Sequence, residues 1–371
     1  MAYITLNSHK LKYNYDYLNN LFEVNNIEWS VVAKILCGNE TFLKCLLQVC
    51  NKDICDSRLT NLKRIKKLNP NTQTVYIKPP AKQLAAEIVK YADVSFNSEI
   101  ETIRALSSEA VSQNKIHRII IMVEMGELRE GIMARDLSRF YGNVRSLPNI
   151  EVIGVGTNLN CLNGILPDEK KLRKLKRYKM IVEDTYDVTL PYISAGSSVT
   201  IPLIYQNQIP DGINHFRIGE SLFFGTDVFN DGMISPMYQD VFTLTAEIIE
   251  IQEKPKVPAG TSGTNLTGKT PVHKKSDATK TSFRAIVDVG ILDIETNHIQ
   301  PINKHVRIIG ASSDMMILDV CNNSGNFRVG DKIDFNIDYL SAMRAMNSEY
   351  IDKHVENKIR LNEFKILQCK N

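Results

Sequence analysis

Over the first 225 residues the chain alternates between two textures, and this alternation constrains its fold more than any other property. Short apolar runs, often β-branched, occur at WSVVAK (29–34), DICDS (53–57), TVYIK (74–78), ADVSF (92–96), HRIIIMVE (117–124), VIGVGT (152–157), LPYISA (190–195) and HFRIG (215–219). Between them lie longer stretches with helical spacing, such as TFLKCLLQVC (41–50), KQLAAEIVKYA (82–92), EIETIRALSSEAV (99–111) and KKLRKLKRYKMIVEDTY (170–186). Strand alternating with helix predicts βαβ units and a parallel sheet. Eight such units within about 200 residues predict a closed (β/α)8 TIM barrel. The rival is an open doubly wound sheet, but VVAKILCGNE lacks the G-x-G-x-x-G turn that a dinucleotide fold wants after its first strand.

After about residue 230 the texture changes. YQDVFTLTAEIIEIQE, SFRAIVDVGILDI, HVRIIGASSDMMILDV and DKIDFNI alternate like strands, and no long helical pattern returns until about residue 340. This predicts an α/β barrel over residues 1–228 followed by a C-terminal all-β domain over 229–371. The segment 254–282, rich in Gly, Ser, Thr, Pro and Lys, is expected to be a long flexible surface loop. Its GTSGTNLTGKT lacks phosphate-loop spacing and a strand–turn–helix context.

The bulk numbers narrow the class. A chain of 371 residues exceeds one ordinary core, which agrees with two domains. A formal net charge of +3 gives no strong field toward nucleic acid or anionic membrane, and the basic run at 170–179 reads as the solvated face of a helix. Seven cysteines, odd in number and irregular in spacing, read as thiols in a reducing cytoplasm rather than as a disulfide framework. No His or Cys pairs fall at metal spacing. No apolar stretch approaches the roughly 18 residues of a membrane span, and the N-terminus does not read as a signal peptide.

In a parallel barrel, chemistry gathers at the C-terminal ends of the strands. Lys34 leaves the end of the first. A lysine near low-dielectric walls or another cation can act as an amine nucleophile; one at a strand end can equally snorkel to solvent. AGSSVT (195–200), after the seventh strand, places Gly196, Ser197 and Ser198 before a helix. It is either a phosphate seat or a plain serine cap. Arg217, with Gly219 just beyond it, ends the eighth strand. Its guanidinium would keep a pyridine nitrogen largely unprotonated, or form a structural salt bridge with Glu220.

VVAKILCG, VEMGELREG, GVGTNLNC, ISAGSSVT, INHFRIGESLFFGTD, IVDVGILD and IIGASSDMMILDV occur in order along almost the whole chain. Together they resemble the ornithine racemase branch of the alanine racemase superfamily, fold type III enzymes that use pyridoxal 5'-phosphate. The resemblance implies an amino-acid racemase acting on a basic substrate such as ornithine or lysine. It also implies a head-to-tail homodimer in which each β-domain closes the partner's active site. Lys34 matches the Schiff-base lysine, Ser197 and its neighbours the phosphate turn, and Arg217 the arginine at the pyridine nitrogen. Arg129 matches an arginine on the cofactor oxygen or the substrate carboxylate. Thr157 and Asn158 match residues against the ring, and Tyr339 lies near a tyrosine that reaches the phosphate. With Ser198 and Gly219 these residues form the expected cofactor set.

The sequence departs from alanine racemase at the second base. Ile291, in VGILDI (289–294), stands where that family has a catalytic tyrosine. Ser313, Asp314, Cys161 and Tyr339 are the candidates for the opposite face. GASSDMMILD also resembles the Gly-x-x-Cys-Asp stretch of the basic amino-acid decarboxylases, whose Asp binds a distal ammonium. On that resemblance Asp314 binds such a substrate; otherwise it is an Asp held in a turn. Arg129 and Cys161 complete the expected substrate set. Ser313 in place of the cysteine weighs against decarboxylation, which stands as the alternative beside a non-catalytic pyridoxal-phosphate-binding protein.

Overall fold

The computed structural model describes residues 2–357, apart from 267, 269, 271 and 273. The chain divides into two compact units. One spans Ser8–Gln239; the other joins the first seven residues to the segment that starts at Asp240. The barrel therefore ends 11 residues beyond the expected boundary at 228 and gives up the N-terminal strand β1 (Tyr3–Asn7). β1 runs antiparallel to residues 242–245 and parallel to 352–356, pairings to residues hundreds of positions away that local periodicity does not register.

The larger unit contains β2 (Glu28–Val32), β3 (Ile54–Asp56), β4 (Thr74–Tyr76), β5 (Val94–Asn97), β6 (His117–Glu124), β7 (Ile150–Gly156), β8 (Tyr192–Ser197) and β9 (His215–Ile218). Each expected apolar run is one of these strands. Each pairs in parallel with the next, and β9 returns to β2, so the ring closes. Both faces of such strands are covered, which is why they read as unbroken apolar runs. The intervening helices have their own local causes. Asn39 caps the helix Glu40–Val49 by accepting from Phe42 N at 3.1 Å, and Asp168 caps Glu169–Tyr186 by accepting from Lys171 N at 2.6 Å. The latter helix buries Leu172, Leu175 and Val182 and turns most of its basic residues to solvent.

The interior of the ring holds Val32, Cys55, Val75, Val94, Phe96, Ile120 and Met122. It also holds a polar layer. His215 Nδ1 lies 2.7 Å from Ser194 Oγ, and its Nε2 lies 3.0 Å from Ser30 Oγ, so one imidazole ties β8, β9 and β2 together. Burial, with the Arg217 charge adding, pushes His215 down to about 3 and keeps the ring neutral. Outside the ring, Phe216 is fully buried, its ring centroid 5.4 Å from that of Phe22 on the first helix, Ser8–Val24. A Cβ on Gly196 would lie 2.1 Å from the Phe216 ring.

Among the described residues the smaller unit is an antiparallel sheet with one parallel pair, β1 with Asp352–Glu356. Its spine is β10 (Phe242–Pro255), which pairs with β15 (Lys332–Ile337) through Thr243–Glu247 and with β11 (Thr281–Val287) over the rest of its length. Ile299–Pro301, Arg307–Ala311 and Met316–Asp319 form the intervening strands β12, β13 and β14. Residues 256–280 connect the β10–β11 hairpin, so Lys254 and Thr281 belong to strands rather than to the loop.

Two loops at the C-terminal end of the barrel are fastened by one carboxylate. Glu127, after β6, is buried and accepts from the backbone N–H of Asn160 (3.1 Å), Leu162, Asn163 (2.9 Å) and Ile165 (3.1 Å), all after β7. Burial raises the Glu127 pKa, but these donors outweigh it and leave the group below its ordinary value of 4.5. The stabilisation is therefore complete above that value and lost as pH falls through the lower, folded one. Amide-exchange protection of residues 160–165 is expected to persist below pH 4.5 and then collapse, and to be lost at neutral pH in Glu127→Gln, whose NH2 would face donors. Gly196→Ala is expected to lower the denaturation midpoint by an amount corresponding to about 1–3 kcal/mol, the usual range for overpacking.

Candidate functional site

Lys34 stands where β2 ends. Ala33 N still pairs with Cys55 O at 2.9 Å, and a single 3-10 turn, Lys34–Leu36, follows. Cys37 (φ 48°) and Gly38 (φ 71°) close that turn, with Cys37 N donating to Lys34 O at 3.1 Å. Ile35 and Leu36 are buried and anchor the turn, while the Lys34 side chain is exposed at the strand end. Exposure alone suits a snorkelling lysine as well as a site lysine. The neighbouring strand contributes to the same rim: β9 pairs with β2 and brings Arg217 and Gly219 alongside. A Cβ on Gly219 would meet Val32 Cβ and O at 3.2 Å, a tight approach.

Arg217 is buried in the ring. Its Nη1 donates to Ser194 O (2.8 Å) and Ser194 Oγ (2.5 Å), and its Nη2 to Thr157 O (2.8 Å). The guanidinium lies 5.0 Å from the centroid of Phe96, on the strand diametrically opposite, so it spans the interior. Burial lowers its pKa, and the group is held by oxygens of neutral residues. Arg129, on the loop after β6, pairs through Nε and Nη2 with Glu130. These bonds lead the causes that raise its pKa above the usual arginine value. Asn158, with its amide oxygen toward Arg129, accepts from Nη2 at 2.9 Å and Nη1 at 3.2 Å. Cys161 is an exposed free thiol on the same loop, with Sγ 3.6 Å from Leu159 O. The structure thus brings Arg129, Thr157, Asn158, Cys161 and Arg217 into one cluster.

Ser197 and Ser198 begin the segment after β8. Ser197 N donates to Thr200 Oγ1 at 3.2 Å, and Ser198 Oγ accepts from Ser221 N at 3.2 Å. Ser221 belongs to the short helix Glu220–Phe224, which Gly219 precedes, so the turns after β8 and β9 are stitched together. Ser197 is a helix cap here, and a capping serine also borders unpaired N–H groups.

Other polar strand ends are turned elsewhere. Asp56 accepts from Arg58 N (2.8 Å) and Asn61 Nδ2 (3.1 Å), anchoring the helix Leu59–Leu68, and Asn97 Nδ2 donates to Ser95 O at 3.0 Å. Among the described residues no group of His, Cys, Asp and Glu could hold a metal ion.

Ser313, Asp314 and Tyr339 lie on the β unit. Ser313 and Asp314 form an exposed turn between β13 and β14, closed by Ser312 N to Met315 O at 2.8 Å. The turn presses on the 290–292 segment: a Cβ on Gly290 would lie 2.5 Å from Asp314 N, and Ile291 N donates to Ser312 O at 3.0 Å. Tyr339 opens the helix Tyr339–Asn347, whose Arg344 Nη1 donates to Ile291 O at 3.0 Å. Ile291, the Ser313–Asp314 turn and the Tyr339 helix are therefore one assembly. Sequence reasoning missed Glu130, Ser194 and His215. Ser194 and His215 lie within recognised strands, and period-two alternation puts His215 on the face of Arg217. Glu130 gives no such signal, since it lies in a loop.

The alanine racemase N-terminal domain model matches residues 6–227. Ornithine racemase of Acetoanaerobium sticklandii is 35% identical over 353 residues, covering 95% of this chain and 99% of that protein. Lysine racemase of Thermotoga maritima is 29% identical over 335 residues, covering 90% and 92%. Alanine racemase of Clostridium difficile superposes with a TM-score of 0.74 at 15% identity, over 97% of this chain and 96% of that one. The Bartonella henselae alanine racemase with covalently bound pyridoxal phosphate gives 0.71 at 15% identity, over 96% and 99%. The structural likenesses speak for the fold, the expected barrel followed by a β-sheet domain. With the domain model and a relative that runs nearly end to end, they establish that this chain belongs to the alanine racemase family.

Proposed function

We propose that this chain is a pyridoxal-phosphate-dependent racemase that interconverts the L and D enantiomers of a basic amino acid such as ornithine or lysine. The observation that carries the reading is an exposed amine, Lys34, at the end of a strand whose neighbour holds a buried, hydrogen-bonded arginine. The ornithine and lysine racemases among its relatives support the substrate class.

The donor set fits the cofactor. Lys34 offers an amine for its aldehyde, Ser197 and Ser198 with the turns that end at Gly219 a seat for its phosphate, and Arg217 a donor for its pyridine nitrogen. Arg129 would donate to its ring oxygen or to the substrate carboxylate, Thr157 and Asn158 would hold the ring, and Tyr339 would be a further donor to the phosphate. Bound there, the group supplies the electron sink that acidifies the substrate Cα–H. Lys34 takes or returns that proton on one face. Arg217 donates without readily giving up a proton, because a guanidinium stays charged at any working pH. Ile291 has no proton to offer, so the opposite face falls to Ser313 or Asp314, with Cys161 also near the substrate. Asp314 binds the distal ammonium. A homodimer with shared sites suits the β unit, where Leu292, Met315, Leu340 and Met343 are exposed around the turn and the helix. No described helix is long and apolar enough to cross a membrane, and the described cysteines are free thiols, in keeping with the cytoplasm as the compartment.

Lys34→Ala is expected to abolish the yellow absorbance that borohydride reduces, and to lower racemisation by at least about a thousandfold. A variant that stays yellow would remove the assignment. In deuterated water the holoenzyme should place deuterium at Cα of ornithine and yield the opposite enantiomer, whereas CO2 release would mark a decarboxylase. Asp314→Asn should raise KM for ornithine by about 10- to 100-fold, the worth of one charged hydrogen bond, and leave uncharged norvaline unaffected. An unchanged KM for ornithine would make Asp314 a turn residue.

A further inference from the structure

We infer that Glu130 is a positioning residue that holds Arg129 beside Arg217, so that the Nε edge of the guanidinium is bound to a carboxylate and its orientation toward the site is fixed. The inference rests on the proposed role of Arg129.

The geometry begins at Gly131. Its φ of 127° suits glycine, and a Cβ there would lie 2.5 Å from Glu124 N and 2.7 Å from Val123 C. The chain therefore folds back against the end of β6, and this turns the preceding side chain inward. The Glu130 side chain is 9% exposed, against 38% for Arg129. Both Glu130 oxygens meet the Arg129 guanidinium: Oε2 takes Nε, and Oε1 takes Nη2 at 2.5 Å. This is the parallel, two-bond arrangement in which arginine and carboxylate bind most strongly. Asn158 accepts from Nη2 and Nη1 on the other side. With Cys161 also bonded to the guanidinium, Arg129 is held from several sides, and the Nε edge is committed to Glu130.

The second arginine explains why a carboxylate is needed there. Arg217 donates to the carbonyl of Thr157, and Arg129 is held by the side chain of Asn158, the next residue. Consecutive Cα atoms are about 3.8 Å apart, so two cations are moored to one short piece of chain. Arg217 is buried and held by oxygens of neutral residues, so nothing in its own shell offsets the repulsion. The Arg129 charge acts against the charged form of Arg217, and the Glu130 charge acts in its favour. Glu130 thus anchors one guanidinium by direct bonds and steadies the other through space. With both oxygens turned to Arg129 it acts through that arginine, not on the substrate. Without it, Arg129 would keep only neutral partners, Asn158 and Cys161, on a loop where Leu128 has φ 53°.

The test uses the full-length holoenzyme with Glu130→Gln, Glu130→Asp, Arg129→Gln and the Glu130→Gln/Arg129→Gln double variant. Three quantities are read: kcat and KM for ornithine racemisation, the dissociation constant of pyridoxal phosphate for the stripped protein, and the 15N–1H signal of the Arg129 Nε–H. Glu130→Gln is expected to lower kcat/KM about a hundredfold, the scale of a group displaced by an ångström, and to weaken cofactor binding. The Nε–H signal should be lost to fast solvent exchange. The double variant should be no worse than Arg129→Gln, because without the guanidinium the carboxylate has nothing to hold. Glu130→Asp should restore part of the activity and of the Nε–H signal, and it supplies the comparison if the glutamine variant does not fold. Losses that multiply in the double variant, or an intact Nε–H signal and wild-type kinetics in Glu130→Gln, would overturn the inference. An Arg129→Gln variant that binds cofactor and racemises normally overturns it too, by a route that strikes the proposed role of Arg129 rather than its link to Glu130.

Discussion

The pairing of β9 with β2 is the contact on which the rest depends. It closes eight strands into a ring, and closure gives every strand an inside and an outside. His215 and Arg217 then point inward, where Ser30 and Ser194 from the flanking strands meet them, and Phe216 points outward to pack on Phe22. The same pairing sets the turn that carries Lys34 beside the strand that carries Arg217. In an open sheet these two strands would be edges, and neither the polar layer nor the shared mouth would exist.

A polar layer inside a barrel is costly unless every group finds a partner, and this one does so largely without ion pairs. The neutral His215 bonds to two hydroxyls, and Arg217 bonds to two carbonyls and a hydroxyl. Carbonyls hold an arginine in place without neutralising it, so its charge remains available to whatever occupies the mouth. Acidic groups enter one level higher, on loops. Glu127 ties the loop after β6 to the loop after β7, and Glu130 binds the arginine between them. Rigid strands thus carry the buried charge, and the loops carry the groups that trim it.

Much of this was legible in the residues. The eight strands, the helices between them and the change of texture after residue 230 follow from apolar periodicity, because a side chain's chance of burial repeats with the local backbone. Lys34, Ser197 and Arg217 were legible as site candidates because a barrel places its chemistry at strand ends, and strand ends can be counted along the chain. Standing at a strand end is not enough by itself: Asp56 and Asn97 also end strands, and their side chains bond to a helix start and to Ser95. Which way a strand-end side chain turns is decided by its neighbours in space.

The sequence alone therefore determined the order and type of the elements, the barrel class and the residues standing at its rim. These arise from patterns that span a handful of positions. Only the tertiary structure decided that the first strand belongs to the second unit, that Glu127 binds four amides more than 30 residues away, and that Glu130 is folded inward by Gly131 to meet its own neighbour. Such contacts join loops whose separation in space is set by ring closure, and loop sequence carries no period from which that separation can be read.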